Sequence, residues 1–244
     1  MVIVCHGMNA NSGESRDHVV PVPLGERPIS LIERDEFPHD SCATEEWEFG
    51  WWSPDGGIAG YTSYRLRGRS QVWYCWALWR RHEPLLHVTE FDITRRSNPM
   101  IAKASALWAE YTCDSPFEQW TLGNETYAVE LDDPAEALGR AYGRAVPIAS
   151  DLEWYATAEP VPVHDGYTQE GRLLGTVETV EGPLELVDLR ASRAHRWSRT
   201  NELVGLESGP IVAHLGPRMP FRFPDGATRD LYLTPEGLRF TTSL

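Results

Sequence analysis

The sequence predicts a mainly β protein, an antiparallel barrel with a second, smaller β unit and one short helix. Between Trp47 and Ile93 the chain alternates apolar runs with turn signals, in the order EEWEFGWW, SPDGG, IAGYTSYRL, RGRS, VWYCWALWR, RHEP and LLHVTEFDI. Runs of about seven to nine residues joined by turns of about four leave room only for antiparallel neighbours. The stretch VWYCWALWRR, residues 72–81, carries bulky apolar groups on both faces when extended. A strand buried on both sides needs either a second layer outside the sheet or an enclosed interior lined by rings. Finally, only one segment of the chain carries both a start and a stop signal for a helix.

Residues 1–35 are rich in turn formers, with Pro21, Pro23 and Pro28 limiting regular structure, and are expected to form an arm laid over the domain. The main β domain is expected over 36–160. In its middle strand Val72, Tyr74, Trp76 and Leu78 share one face, and Trp73, Cys75, Ala77 and Trp79 the other. Trp73, Trp76 and Trp79 also recur at helical spacing, but the flanking turns leave under three helical turns, and the aromatic content favours a strand. SALWAEYTCD and TYAVELD continue the strand pattern. DDPAEALGRAYG is the expected helix, capped by Asp132 or Asp133, with Pro134 in its first turn and Gly143 ending it. SDLEWYAT, GRLLGTVETVEG and PLELVDLR resume strand character. The closing segments PIVAHLG, PFRFPDG, TRDLYLTPEG and LRFTTSL are short and turn-separated, as expected for a smaller unit over 161–244 packed on the first.

Composition narrows the function. The 244 residues include ten Trp, nine Tyr and seven Phe, enough apolar area for a sizeable core. A formal charge of −14 repels a phosphate backbone, so nucleic acid is not expected as a partner. Cys5, Cys42, Cys75 and Cys113 form no CxxC pair, and the opening MVIVCHGMNANSGES has neither a basic start nor a long apolar run. Reduced thiols, no membrane span and a cytoplasmic location are the expectation. VIVCHG resembles the oxyanion-hole strand of an α/β-hydrolase, but the chain contains no GxSxG, and it also lacks GxGxxG, a Walker loop and HExxH. The eight histidines are scattered and none forms a close pair, so neither a metal nor a cofactor is expected.

Two carboxylate pairs stand at strand spacing, Glu90 with Asp92 and Asp151 with Glu153. Acids held that close raise each other's pKa, and a buried one kept protonated could protonate an alkene or enol. Otherwise they are the solvated faces of half-buried strands. LRASRAHRWSR places Arg190, Arg193, Arg196 and Arg199 around His195, a cluster able to grip a carboxylate or to pair with acids such as Glu153, or else a basic surface loop. His195 is the best single candidate for proton transfer, since an unperturbed imidazole titrates near neutrality. Among the rings, Tyr64, Trp73, Trp76, Trp108 and Trp154 are expected to wall a pocket for a hydrophobic or conjugated ligand.

The set EFPHD at 36–40, GGIAGYTSYRL at 56–66, VWYCWAL at 72–78, LWAEYTCDSPFEQWTLG at 107–123, VELDDPAEALGRAYG at 129–143, VPIASDLEWYA at 146–156 and RAHRWS at 193–198 resembles bacterial proteins related to the lipocalin-like carotenoid hydratase, or hydroxyneurosporene synthase, superfamily. The resemblance covers about residues 36–200. It implies lipocalin-like (calycin-like) antiparallel barrels with a ligand cavity near their junction, and relatives that are isoprenoid hydratases or cofactor-free cyclases. The late motif of that group commonly reads Arg-Asp-His-x-Trp. Here it is Arg193, Ala194, His195, Arg196 and Trp197, so His195 and Trp197 carry over while Ala194 replaces the acid.

Together these expectations describe a cofactor-independent hydratase, isomerase or cyclase acting on a small isoprenoid or polyketide-like substrate. His195 transfers a proton, Asp151 or Glu153 orients or acidifies, Arg193 holds an oxygen, and Tyr64, Trp73, Trp76, Trp108, Trp154 and Trp197 shape the pocket. The alternative is a non-catalytic lipocalin-like binding protein for a hydrophobic molecule. An acid or His195 projecting into the cavity favours catalysis, whereas a wholly apolar cavity with both acid pairs facing water favours the carrier. A homodimer or another partner docked on exposed aromatics is the third alternative.

Overall fold

The computed structural model describes residues 30–200, 203, 216, 218–235 and 237–243. Most of the expected arm, and PIVAHLG apart from Gly216, lie outside them. Eleven strands form one antiparallel sheet: β1 (Thr44–Trp52), β2 (Ile58–Arg67), β3 (Gln71–Arg80), β4 (Leu85–Thr94), β5 (Ile101–Lys103), β6 (Leu107–Ser115), β7 (Gln119–Leu131), β8 (Arg144–Ala156), β9 (Val161–Val163), β10 (Gly166–Thr179) and β11 (Gly182–Ser198). A second sheet contains β12 (Met219–Arg222), β13 (Thr228–Thr234) and β14 (Gly237–Ser243).

The meander read from the sequence is β1 to β4, paired in chain order. β1 pairs on its other side with β11, β11 with β10, β10 with β8, and β8 with β7. β4 then meets β7 through Leu85–Leu131, Leu86–Glu130 and His87–Val129, which closes the circuit of pairings. The division expected at residue 160 is therefore not where the sheets divide. β10 and β11 belong to the main sheet, because β11 supplies the hydrogen-bonding edge that β1 requires, and the smaller unit begins only with β12.

The expected helix is also corrected. DDPAEALGRAYG forms only one 3₁₀ turn at Pro134–Leu138, ended at Gly139 rather than Gly143. Of the two candidate caps it is Asp133 that serves, its side chain accepting from the Ala135 N–H. The helix does not propagate because the Gly139 and Ala141 N–H groups both turn back to the Glu136 carbonyl, at 2.9 and 3.0 Å, and Ala141 takes a left-handed φ of 48°. A second 3₁₀ turn, Glu33–Glu36, precedes β1.

The two faces of β3 meet different partners. Val72, Tyr74, Trp76 and Leu78 point to the inner face and join a core drawn from every strand of the circuit, with Trp47, Phe49, Trp51, Tyr111, Trp120 and Trp154 among its largest members. Trp73, Cys75, Ala77 and Trp79 point outward and are covered by Met219, Phe221, Phe223, Leu231 and Leu233 of the small sheet. Burying a large apolar side chain is worth roughly 1.5–3 kcal/mol, so a two-faced strand repays its loss of freedom twice over. Rings this large need relief in the neighbouring strand. Gly60 and Gly171 lie directly under the indoles of Trp51 and Trp154, where a Cβ would collide with the ring.

The outer layer depends on pH. His87 of β4 stacks on Phe221 at 4.7 Å, and its Nε2–H donates to the Pro220 carbonyl at 2.9 Å. Burial lowers the pKa of His87 from 6.5 to about 4. Between those values the unfolded chain binds the proton and the folded chain does not. Stability is therefore full above pH 6.5 and falls as the pH drops toward 4, by up to roughly 3 kcal/mol. Urea midpoints at pH 7.0 and 5.0 should differ for the native chain, and the difference should shrink in His87→Gln, which keeps a donor for Pro220 but cannot be protonated. An unchanged difference would assign the titration to another group.

Candidate functional site

At one end of the inner face the core turns polar. Period two along β1 sends Glu45, Trp47 and Phe49 inward, and β11 answers with Trp197, His195 and Arg193 in register with them. β10 adds Tyr167 opposite His195 and Gln169 opposite Arg193. The segment carrying the Glu33–Glu36 turn crosses this end and lowers two side chains, Glu36 and His39, into it.

Arg193 and Glu36 are both buried and form a two-point pair. Nη1–H and Nη2–H of Arg193 donate to Glu36 Oε2 at 2.8 Å and Oε1 at 2.5 Å. Trp120 Nε1–H and the Phe117 backbone N–H add bonds to the same carboxylate at 2.9 and 3.0 Å. Gln169 Oε1 accepts from Nε and Nη2 of Arg193, while the Gln169 amide donates to the Phe117 and Ala158 carbonyls, so the guanidinium is fixed in plane. It lies 4.7 Å from the Trp154 ring, 5.1 Å from Tyr167 and 5.8 Å from Trp120. Burial pushes the Glu36 carboxyl up, but the hydrogen bonds and charge of Arg193 outweigh it and hold the pKa below its ordinary value.

Beside this pair, Glu45 joins two imidazoles. His195 Nε2 lies 2.9 Å and His39 Nδ1 2.7 Å from Glu45 Oε1, and the His39 backbone N–H reaches Oε2 at 2.8 Å. His39 Nε2 faces Asp35 at 3.3 Å. Burial raises the Glu45 pKa, and hydrogen bonds from His195 and His39 more than reverse this, so Glu45 is an ionised acceptor. Burial lowers the pKa of His195, whereas the Glu45 hydrogen bond raises that of His39. His195 is therefore neutral with its proton on Nε2, facing Glu45, and its Nδ1 lone pair has no hydrogen-bond partner. Trp47 stacks on the His195 ring at 4.3 Å, and Trp197 stacks on His39 at 4.5 Å. His39 is half-buried, so the chain His39, Glu45, His195 runs from the surface into the core.

The ligand atoms of His39, Glu45 and His195 also lie within 4.8 Å of one another, a spacing that a divalent ion could occupy. The hydrogen bonds already described satisfy most of those atoms. Reading the histidines as scattered overlooked this meeting, because residues 39 and 195 approach only through the pairing of β1 with β11.

Of the side chains singled out in the sequence, Arg193, His195, Trp154 and Trp197 come together here. Tyr64 and Trp76 share the inner face farther along the sheet. Trp73 is on the outer face, stacked on Phe223 at 5.9 Å, and Trp108 is half-exposed on the outside of β6. Asp151 is exposed and Glu153 half-exposed on the outer face of β8, where Glu153 accepts from Tyr155. Neither acid can reach His195, since Leu152 and Trp154 occupy the inward positions of that strand. Glu90 stands cross-strand from the inward Tyr74 but is only half-buried and accepts from the Asp92 backbone N–H at 3.2 Å, while Asp92, beyond the bulge in β4, is exposed. The four arginines do not converge, because a spacing of three on a strand alternates faces: Arg193 points in, Arg196 points out to Glu46 and Glu48, and Arg190 and Arg199 are exposed.

The acid partner of His195 is Glu45, from the neighbouring strand. Ala194 lies on the opposite face and could not have supplied it. Glu36, His39, Glu45, Trp120, Tyr167 and Gln169 were given no role by sequence reasoning. Glu45 left a readable trace, as the acid in line with Trp47, Phe49 and Trp51 on the aromatic face of TEEWEFGWW, and Glu36, His39 and Trp120 fall within motifs quoted for the resemblance.

Two hollows open elsewhere. One, of about 840 Å³, lies between the β5–β6 turn, the middle of β7, Pro147–Ala149 of β8 and the end of β10. The other, of about 710 Å³, is a groove on the outer face of β6 to β8, β10 and β11, lined by Trp108, Asp151 and Glu153 among others. No helix among the described residues is long and apolar enough to cross a membrane. In comparisons with known proteins, no family model and no curated sequence matches the chain.

Proposed function

We propose that this chain is a proton-transferring enzyme of hydratase, isomerase or cyclase type, acting on a small hydrophobic substrate. The circuit of eight paired strands is read as a lipocalin-like barrel, in keeping with the resemblance of residues 36–200. The observation that carries the proposal is the bond from His195 Nε2 to Glu45, which leaves the other ring nitrogen bare on an aromatic inner face. A carboxylate that fixes one imidazole nitrogen as donor makes the other a base of defined direction, the logic of His–carboxylate pairs in acid–base catalysis. His39 and Glu45 then provide a hydrogen-bonded route by which His195 exchanges its proton with solvent. In that scheme Nδ1 removes a proton from a carbon of the substrate, Glu45 stabilises the imidazolium so formed, and the same proton is returned to another carbon, while Trp47, Trp154 and Tyr167 supply ring faces for the apolar body. Asp151 and Glu153 have no part in this scheme.

The test is deuterium exchange. Purified protein incubated with small isoprenoid alkenes and enols in D₂O should incorporate deuterium, followed by mass spectrometry. His195→Gln should lower the rate by about 10²–10⁴-fold, and Glu45→Gln should lower it as well. Undiminished exchange in His195→Gln would remove His195 from the mechanism.

One observation favours the carrier reading. The indole N–H groups of Trp51, Trp76 and Trp154 and the hydroxyl of Tyr64 are buried on the inner face without hydrogen-bond partners. Such donors suit a bound molecule with an apolar body and oxygen atoms. Tight binding of an isoprenoid with no exchange in any variant would select this reading.

A further inference from the structure

We infer that the Glu36 carboxylate stands in for the carboxylate of a ligand, so that the site is built for an apolar-bodied carboxylic acid and the segment around Glu33–Glu36 is a displaceable strap. The inference names the ligand class for the site under the proposed function and rests on that reading only for what happens to the ligand afterwards.

The cradle belongs to the body of the protein and is complete without the strap. Its donors are two N–H groups of Arg193 from β11, the indole N–H of Trp120 from β7 and the backbone N–H of Phe117 from the turn before β7. Gln169, anchored by two carbonyls, holds the guanidinium plane whether or not Glu36 is present. Phe117 has a φ of 60°, a left-handed conformation costly for a non-glycine residue, and the N–H it presents points at the carboxylate. Two-point guanidinium contact with two further N–H groups is how proteins recognise a carboxylate.

The strap, in contrast, is weakly seated. Ile32 and Phe37 are 58% and 40% exposed, while Glu36 is 0% exposed. Its hold is thus mainly polar, made by Glu36, by Trp47 Nε1–H donating to the Glu36 carbonyl at 3.2 Å, and by His39 on Glu45, with the stacking of His39 on Trp197 beside it. A ligand that brings its own carboxylate replaces the main contact like for like. Arg193 and His195 are two residues apart on one strand face, so a carboxylate in the cradle places carbon atoms about 7 Å away beside the His195 ring. Trp154 and Tyr167 flank that path.

The probes are sodium decanoate and its methyl ester, with tryptophan fluorescence and thermal melting as readouts. Glu36→Ala should melt below the native chain, and decanoate should bind it at least 10-fold more tightly than it binds the native chain. The ester should show no such gain, and Arg193→Gln introduced into Glu36→Ala should abolish it. Glu36→Gln keeps acceptors for Trp120 and Phe117 but lacks the charge, and it serves the same comparison if the alanine variant does not fold. Equal decanoate affinity in the native and Glu36 variants, or equal gains for acid and ester, would overturn the inference. Binding is read without turnover and should survive in His195→Gln. Loss of the decanoate effect with deuterium exchange intact thus refutes the cradle alone, and the reverse refutes the catalytic reading alone.

Discussion

Arg229→Ala should cost roughly 3–5 kcal/mol of folding stability, the range for leaving buried charge without its partner. Arg229 of β13 enters the space between the two sheets and meets Glu46 at 3.1 Å, together with Glu48 and the Tyr61 hydroxyl. Glu46 also receives Arg65 at 3.0 Å and Arg196 at 3.0 Å, and Arg196 bonds Glu48 at 2.9 Å. Burial alone would raise the Glu46 pKa steeply, and the three guanidinium groups hold it well below the ordinary range instead. Without Arg229 the carboxylates must either stay ionised with fewer partners or take up protons. Both routes weaken the docking of β12–β14 over Trp73 and Trp79. Urea unfolding measures the loss, and acrylamide quenching of tryptophan reports whether the outer layer has lifted. A double-variant cycle with Glu48→Gln should give a coupling above about 1 kcal/mol. A loss under about 1 kcal/mol would mean that Arg65 and Arg196 neutralise the site unaided.

Trp154→Ala should be comparably damaging, at about 3–5 kcal/mol, through lost burial and the void left behind. Trp154 is fully buried on β8, cross-strand from Trp120, edge-on to Phe49 at 6.1 Å and under the Arg193 guanidinium at 4.7 Å. Its indole lies against Gly171, whose missing side chain cannot fill the gap. Two effects therefore combine, an apolar void and a buried cation deprived of its ring. The measurement is again the urea midpoint, with a second reading: free indole at millimolar concentration should raise the melting temperature of Trp154→Ala and leave the native chain unchanged. If indole gives no rescue, the neighbouring rings have collapsed into the space.

Legibility from sequence followed the range of the forces involved. Period-two patterning and short turn signals are local, so the β1 to β4 meander, the two apolar faces of β3 and a cap at Asp132 or Asp133 could all be read directly. The length of the element after that cap could not, because the chain turns back on the Glu136 carbonyl and goes left-handed at Ala141, which nothing in the residue pattern announces. Arg193 and His195 share the inward face of β11, whereas Arg190, Arg196 and Arg199, grouped with them in the residue pattern, do not. Asp151 and Glu153 were grouped with them on chemistry alone, although their strand turns Leu152 and Trp154 inward and both acids out.

By itself the amino-acid sequence determined an antiparallel β protein and the strand whose two faces are both apolar, since each follows from side-chain alternation along a single strand. Only the tertiary structure decided that Glu45 is the acid facing His195, that Glu36 fills the Arg193 cradle, and that the outer face of β3 is covered by the C-terminal strands. Those partners lie on different segments, and the register of β1 against β11, stabilised by burial of the whole aromatic core, is what brings them within hydrogen-bonding distance.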